Sequence, residues 1–397
     1  MSSSAPRVLT TTSRMPFAVD EIRKLGATGR FVLATDTFEA APGSHSRGAS
    51  AHAVTPAPTQ RTGEFIDSII DLMSEHDINW LLPMFEDVFY LSAHREKILA
   101  AHPEATLFFP GFDALHKVHD KVSFTELCGE LGLPVAEPIT ATDEEQFKAA
   151  IGNWDHWFAR AAYGRGGMDI ITNTGPLAGD GDIDDIHPTV DDPWMVQQFL
   201  SGTDRCSWSV AHEGEIVLHS CYEHPLMIDD RGGIVFESVD SPQSLEAAQR
   251  IAKELNWTGQ ISFDYMVTED GTHYMVECNP RPTAGCTVAT PEEFDTALFS
   301  PDGLVVVPAG RKKKIEVAVV RDTLRHPLRA RSNRAAAKGA TDVYYGDHDY
   351  LPLLYTALSL QHIRAYRKAL GMNRKKGEQL VATQFFDVLY DGGGISV

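Results

Sequence analysis

Residues 274–285 read YMVECNPRPTAG. The first half has the character of a strand. The second half places a carboxylate, a carboxamide and a guanidinium at alternate positions, Glu277, Asn279 and Arg281. Side chains two apart on an extended chain point to the same side, so three polar groups converge at the end of an apolar strand. A core has no use for such a set, because each unpaired polar group is costly to bury. The set calls for a ligand that wants two oxygen donors and one positive charge.

Just upstream, ISFDYMVTEDGTHYMVECNP reads as a hairpin turning at Asp270-Gly271. Folding about that turn brings Asp264 near Glu277 across the pair. Two facing carboxylates repel unless a cation joins them. With Asn279 they form an all-oxygen set suited to Mg²⁺, which keeps phosphate oxygens and waters as its other ligands. The bland alternative is a surface hairpin with exposed acids, but such a hairpin has no need of the convergence that Asn279-Pro280-Arg281 adds.

From the N-terminus, RVLTTT (7–12), FAVDEIRKLGATG and RFVLATD read as strand, helix and strand, the opening of a doubly wound α/β domain. GEFIDSIIDLMSEHDI is a helix, NWLLPMF a strand ending at Glu86-Asp87, VFYLSAHREKILAAH another helix and ATLFFP another strand. The first turn, TTTSRMPFA, is not G-x-G-x-x-G, which argues against a dinucleotide-binding dehydrogenase and makes Asp36 a plain strand-end carboxylate. A helix begins near Asp120 and ends at Gly132. WFARAAYGRGGMDIITN is strand, glycine-rich turn, strand. Such a turn can lay N–H groups over phosphates, though no Walker A lysine follows. WMVQQFLSG, RCSWSVAHEGEIVLHSCYEH and GGIVFESVD read as strands, and SLEAAQRIAKELNW as a helix. RKKKIEVAVV reads as a strand behind a basic, solvated run, and LPLLYTALSLQHIRAYRKAL as a long amphipathic helix.

A chain of 397 residues suggests two or three domains. A formal net charge of −20 argues against a general nucleic-acid binder, which needs a basic face. No apolar run is long enough to cross a membrane, and MSSSAPRVLTTTSR lacks the apolar stretch of a signal peptide, so a cytoplasmic protein with no membrane partner is expected. The five cysteines are scattered without a Cys-x-x-Cys pair, which fits reduced thiols. Cys221-x-x-His224 lacks the second ligand pair of a zinc site. Cys278 alternates away from Glu277 and Asn279, toward the core, and Cys286 could lie near a substrate.

The order of these features is informative. A cation heads a helix (Lys121), a second cation precedes a glycine turn (Arg160, then 163–167), a strand leads into MVQQFLSGTD, and the acid pair with Asn-Pro-Arg comes last. This order resembles the ATP-grasp superfamily, specifically its carboxylate–amine ligase and carbamoyl-phosphate-synthase-like members. LLPMFEDVFYLS, HDKVSFTELCGELGLPV, MVQQFLSGTD, GQISFDYMV and YMVECNPR all fall where that family has similar segments, over nearly the whole chain.

The resemblance implies a mixed α/β and α+β architecture, an ATP-grasp fold behind an N-terminal doubly wound α/β (pre-ATP-grasp) domain. Residues 1–115 would form that domain, 116–195 the small subdomain with a glycine-rich lid, and 196–397 the large subdomain with the metal site and a C-terminal helical extension. It implies that Lys121 and Arg160 hold ATP phosphates, Arg160 departing from the family's usual Lys, with Gly164, Gly166 and Gly167 in the lid. Gln198, Phe199 and Leu200 would be the hinge whose backbone meets adenine, and Asp204 the acid for the ribose hydroxyls. Asp264, Glu277 and Asn279 would bind one or two Mg²⁺ ions, with Mn²⁺ as a substitute, while Arg281 and Asn279 act at the reacting acyl phosphate. Glu86, His224 and Arg14 are the candidate substrate contacts, with Glu86 open equally to the role of a helix N-terminal acid.

The implied activity joins a carboxylic acid to an amine through an acyl phosphate, releasing ADP and phosphate, with an amino acid on at least one side. Pairing into a homodimer through the long helix stays open. One rival is a carboxylase-type member using bicarbonate or carboxyphosphate. A biotin carboxylase proper fits less well, because the long region such enzymes carry after the Asn-Pro-Arg segment is not evident. A rival of another class is a nucleotide-binding module without catalysis.

Overall fold

The computed structural model describes residues 5–164, 169–228, 232–346, 348–369, 385 and 387–395. Arg7–Thr10 (β1), Phe31–Asp36 (β2), Ala51–Val54 (β3), Trp80–Leu82 (β4) and Thr106–Leu107 (β5) pair in parallel in the order β3-β2-β1-β4-β5. Val8, Leu9, Val32, Leu33 and Leu81 are fully buried, as strands covered on both faces must be. Pro16–Ala27 (α1), Thr62–Glu75 (α2), Asp87–Ala93 (α3) and Arg95–Ala101 (α4) belong to the same unit. The strand order reverses between β1 and β4, where open α/β sheets gather ligands at their carboxyl ends. The stretch 88–102 has the spacing of one helix, but the chain breaks at His94, whose Nδ1 lies 2.9 Å from Tyr90 O. Strand β3 has only four residues, too few for a periodic signal.

Phe112–His119 (α5) and Lys121–Glu130 (α6) follow. Asp120 caps α6, its Oδ1 accepting from the Val122 and Ser123 amides at 2.8 and 3.2 Å. Pro138–Ala141 (β6), Trp157–Ala161 (β7), Ile170–Thr172 (β8) and Trp194–Gln198 (β9) form an antiparallel sheet in the order β6-β9-β7-β8, with Glu144–Ile151 (α7) packed on it through Phe147. This small sheet closes at Gln198, past the division expected at residue 195. Phe124, Leu127 and Cys128 of α6 pack instead with Ile261 and Phe263 in the largest core cluster, so this helix sits on the large sheet. Gly166 and Gly167 lie outside the described residues.

The large sheet holds Thr203–His212 (β10), Glu215–Ile228 (β11), Gly232–Val239 (β12), Gly259–Val267 (β13), His273–Asn279 (β14), Val305–Val306 (β15), Lys312–Lys314 (β16) and Thr341–Asp342 (β17). Its order is β14-β13-β10-β11-β12-β16-β17, with β15 on β11. Pro242–Glu254 (α8), Pro291–Phe299 (α9), Glu316–Arg325 (α10), Ala330–Ala336 (α11) and Leu351–Ala369 (α12) complete the helices of the described residues.

The segment RKKKIEVAVV departs from expectation. Only Lys312–Lys314 is strand, and a helix starts at Glu316, whose amide donates to Asp342 Oδ2 at 2.6 Å. The basic run is no solvated loop either: Lys312, Lys313 and Lys314 lie 2.8, 3.7 and 2.5 Å from Glu237, Asp20 and Glu316. All five cysteines are buried and free. No helix among the described residues is long and apolar enough to cross a membrane.

Candidate active site

The hairpin of β13 and β14 sets the site. Its register pairs Asp264 with Glu277 and Ser262 with Asn279, and β10 adds Cys206 opposite Asp264. Paired residues of neighbouring antiparallel strands share a face, so Glu277, Asp264, Cys206 and Tyr222 form one row across four strands. Burial and the facing Glu277 push the Asp264 carboxyl well above the usual carboxylate range. Burial also disfavours charge on Glu277, but Lys121, Arg160, a hydrogen bond with Asp264 and Arg281 outweigh it and hold that carboxyl below its ordinary value.

Two cations approach Glu277, one from the start of α6 and one from the small sheet. Lys121 Nζ is 3.8 Å and Arg160 Nη1 3.9 Å from the same oxygen, Oε2. Lys121 is placed as the first residue of α6 and also donates to the carbonyls of Ala162 and Gly164. Arg160 lies on β7 and donates through Nη2 to Val276 O at 2.6 Å. Its buried Nε has no hydrogen-bond partner among the described residues. Burial pulls its guanidinium pKa down, against the raising effect of Glu277 and Asp264. Such an orphaned donor is costly unless an acceptor arrives.

Arg281 leaves the end of β14. Its Nη2 donates to Asn279 Oδ1 at 3.0 Å, its guanidinium lies 4.4 Å from the Phe85 ring centroid, and Ser262 Oγ donates to its carbonyl at 2.9 Å. Asn279 Nδ2 in turn donates to Asp264 Oδ2 at 3.4 Å. The amide therefore shows its nitrogen to the acid pair. A metal-binding role needs its oxygen, which means release from Arg281.

At the segment expected to be the hinge, the Phe199 amide donates to His156 O at 3.0 Å, and the exposed Gln198 ends β9 with Leu200 following. Asp204 Oδ2 lies 2.6 Å from His224 Nδ1, so residues expected in separate roles form one couple. The His224 ring stands edge-on to Tyr222 and Phe236, and a Cβ on Gly233 would overlap it. The donor atoms of Asp204, Cys206 and His224 all lie within 4.8 Å of one another. Cys221, the sequence neighbour of this histidine, pairs with Ser207 and is affected by Ser244 and Ser241, on the α8 side of the sheet. Cys206, Tyr222 and Phe236 escaped sequence reasoning. Their signal was the alternation in RCSWSV, SCYEH and GGIVFES, which could name a face but not its neighbours.

Two expected substrate contacts are corrected. Arg14 is almost fully buried; it donates to Asp36 Oδ1 through Nε and Nη2 at 2.9 and 2.5 Å, to Asp387 at 2.9 Å twice, and to Thr37 Oγ1 at 2.6 Å. Glu86 is equally buried and its Oε2 accepts from the Tyr390 amide at 2.9 Å. The C-terminal residues occupy both. Cys278 packs in the core as expected, whereas Cys286 is fully buried rather than open to a ligand.

No family model matches the chain. It is similar to pyruvate carboxylase 1 of Caenorhabditis elegans, 26% identical over 247 aligned residues that cover 54% of this chain and 20% of that protein. The chain thus spans about a fifth of the length of this curated relative. Among solved structures, the biotin carboxylase domain of the Hydrogenobacter thermophilus 2-oxoglutarate carboxylase, in complex with MgADP and bicarbonate, is 14% identical with a TM-score of 0.56, covering 74% of this chain and 70% of that one. N5-carboxyaminoimidazole synthetase from Staphylococcus aureus, in complex with ADP, is 12% identical with a TM-score of 0.59, covering 81% and 86%. At these identities the likeness is one of fold. With a small antiparallel sheet meeting a large one at the acid pair, behind a doubly wound domain, the chain has an ATP-grasp fold.

Proposed function

We propose that this chain is an ATP- and Mg²⁺-dependent ligase that joins a carboxylic acid to an amine, releasing ADP and phosphate. The observation that carries the reading is the meeting of Lys121 and Arg160 on Glu277, at 3.8 and 3.9 Å. Two cations at loose distance from one acid, one of them with an orphaned buried donor, leave room for phosphate oxygens. The facing Asp264 and Glu277 fit a hard cation, because two facing carboxylates repel unless a cation joins them. Asp264, Glu277 and, once turned, Asn279 would hold Mg²⁺. Bound there, it would neutralise charge on the phosphoryl oxygens.

The chain's own groups do the remaining work. Lys121 and Arg160 hold the nucleotide phosphates in place of Glu277. The backbone of Gln198, Phe199 and Leu200 meets the adenine edge. Asp204, oriented by His224, accepts from the ribose hydroxyls. A carboxylate is a poor electrophile, and the γ-phosphoryl group converts it to an acyl phosphate while Arg281 offsets the charge that moves. The amine then attacks the carbonyl carbon and loses a proton, and phosphate leaves with the electron pair. An amino acid on one side is inferred from the family resemblance alone.

A second reading is favoured by one observation: solved relatives of the fold are carboxylating enzymes, one of them in complex with bicarbonate. In it bicarbonate is the acid that is phosphorylated. ADP release from Mg-ATP, measured against pools of amino acids and carboxylic acids with and without bicarbonate, separates the two. ADP that needs both an acid and an amine supports the ligase. ADP that needs bicarbonate and one amine supports carboxylation. Nucleotide binding without turnover in any pool supports a binding module, and AMP with pyrophosphate refutes the acyl-phosphate chemistry.

A further inference from the structure

Residues 387–395 form a strap along the N-terminal domain and helix α5. Asp387 grips Arg14, and its carbonyl accepts from the Thr59 amide at 3.3 Å. Leu389 O accepts from Tyr90 Oη at 2.6 Å, and the Tyr390 amide donates to Glu86. The Tyr390 ring stacks on Phe89 with centroids 4.4 Å apart, and its hydroxyl lies 3.2 Å from His116 Nδ1. These contacts would be enough for a C-terminal segment that only stabilises the fold.

The next contact is aimed elsewhere. Gly392 has φ +86, and a Cβ on it would overlap the ring of Tyr163. Tyr163 stands one residue before Gly164, at the root of the glycine-rich turn. Its hydroxyl donates to Asp120 Oδ2 at 3.1 Å, while Asp120 Oδ1 caps α6. The first residue of α6 is Lys121, whose ammonium holds the carbonyls on either side of Tyr163, those of Ala162 and Gly164. Strap, Tyr163, Asp120 and Lys121 thus form a closed circuit around the root of the turn.

We propose that the strap is a positioning element of the nucleotide site, with Gly392 seating the Tyr163 ring directly and Tyr390 acting through His116, whose Nε2 lies 3.4 Å from the Tyr163 hydroxyl, and Tyr163 setting Asp120 and Lys121. The proposal rests on the reading of Lys121 as a phosphate-binding residue. Displacing Tyr163 moves the cap and both carbonyls that fix the ammonium, and misplacing a binding group by about 1 Å costs up to about a hundredfold.

The test compares full-length Gly392→Ala and Tyr163→Phe with the wild type, using Gly394→Ala, where a Cβ meets nothing within 4 Å, as the control. Mg-ADP affinity is measured by calorimetric titration, KM for ATP and kcat by ADP release, and folding by thermal melting. Expected is a roughly tenfold loss of Mg-ADP affinity and a matching rise in KM for both variants, with a smaller change in kcat and no change in the control. Wild-type affinity in both variants would overturn the proposal, as would a fall in kcat that tracks lost folded protein at constant KM. If Gly392→Ala does not fold, Tyr163→Phe decides, because it keeps the ring on Gly392 and removes only the hydroxyl. A wild type that binds no Mg-ADP would refute the nucleotide reading itself, and this proposal with it.

Discussion

Arg14 and Arg160 each stand beside two acidic side chains, and their surroundings differ in one respect. Arg14 is closed: all three of its nitrogens donate to Asp36 or Asp387, and the side chains of the triad are 1–3% exposed. Arg160 is open: Glu277 lies 3.9 Å away with its side chain 26% exposed, Asp264 lies beyond it, and one buried nitrogen is orphaned. Taking charges out of water is tolerated when geometry and hydrogen bonds compensate. The first cluster meets that condition from within the protein and can serve structure alone. The second does not, and its loose distances leave charge for a ligand. Residue type does not separate the two clusters, because both are an arginine with a pair of acids.

The contrast can be broken most directly at the open cluster. Glu277→Gln should lower ADP release by about a thousandfold while the melting temperature stays near wild type. A variant that still turns over ATP would remove Glu277 from the site. At the closed cluster, Arg14→Met leaves Asp36 and Asp387 buried without a counter-charge and should cost at least about 3 kcal/mol in urea unfolding. A loss below about 1 kcal/mol would mean that the triad is solvated.

Asp87, near the closed cluster at the start of α3, sharpens the contrast with pH. Burial, opposed by the Thr11 and Thr12 hydroxyls, raises its pKa to about 6. The unfolded value is about 4, so between those values the folded chain holds a proton that the unfolded chain has lost. Stability conferred by this proton is present below pH 4 and falls as pH rises through 6. Asp87→Asn should therefore gain about 2–3 kcal/mol on the wild type between pH 4 and pH 7.5, read from urea midpoints. A constant difference would show that Asp87 ionises normally. The smallest effect is expected at Arg61, whose ion pair with Glu64 is more than half exposed. Arg61→Ala should change stability by less than about 0.5 kcal/mol, and a larger loss would mean that exposure fails to sort the ion pairs of this chain.

The hairpin carrying Asp264 and Glu277 was legible because its signal is local. Alternation sets the face, and Asp270-Gly271 sets the turn, with Gly271 at φ +85. The helix opened by Asp120 and Lys121 was legible for the same reason, a cap next to the first turn. The segment after Lys314 misled, because EVAVV is too short for its period to tell strand from helix and its cap comes from Asp342, far along the chain.

Roles that depend on partners distant in sequence were out of reach. Arg14 and Glu86 looked available at strand ends, yet Asp387 and Tyr390 hold them across 373 and 304 residues. Asp204 and His224 looked like separate contacts until two neighbouring strands brought them to 2.6 Å. Which groups can converge is written in periodicity and turn chemistry, since these act within a few residues. Which of them stay open to a ligand is decided only when the whole chain has folded, because any acid or amide, however remote in sequence, can reach a buried charge first and close it.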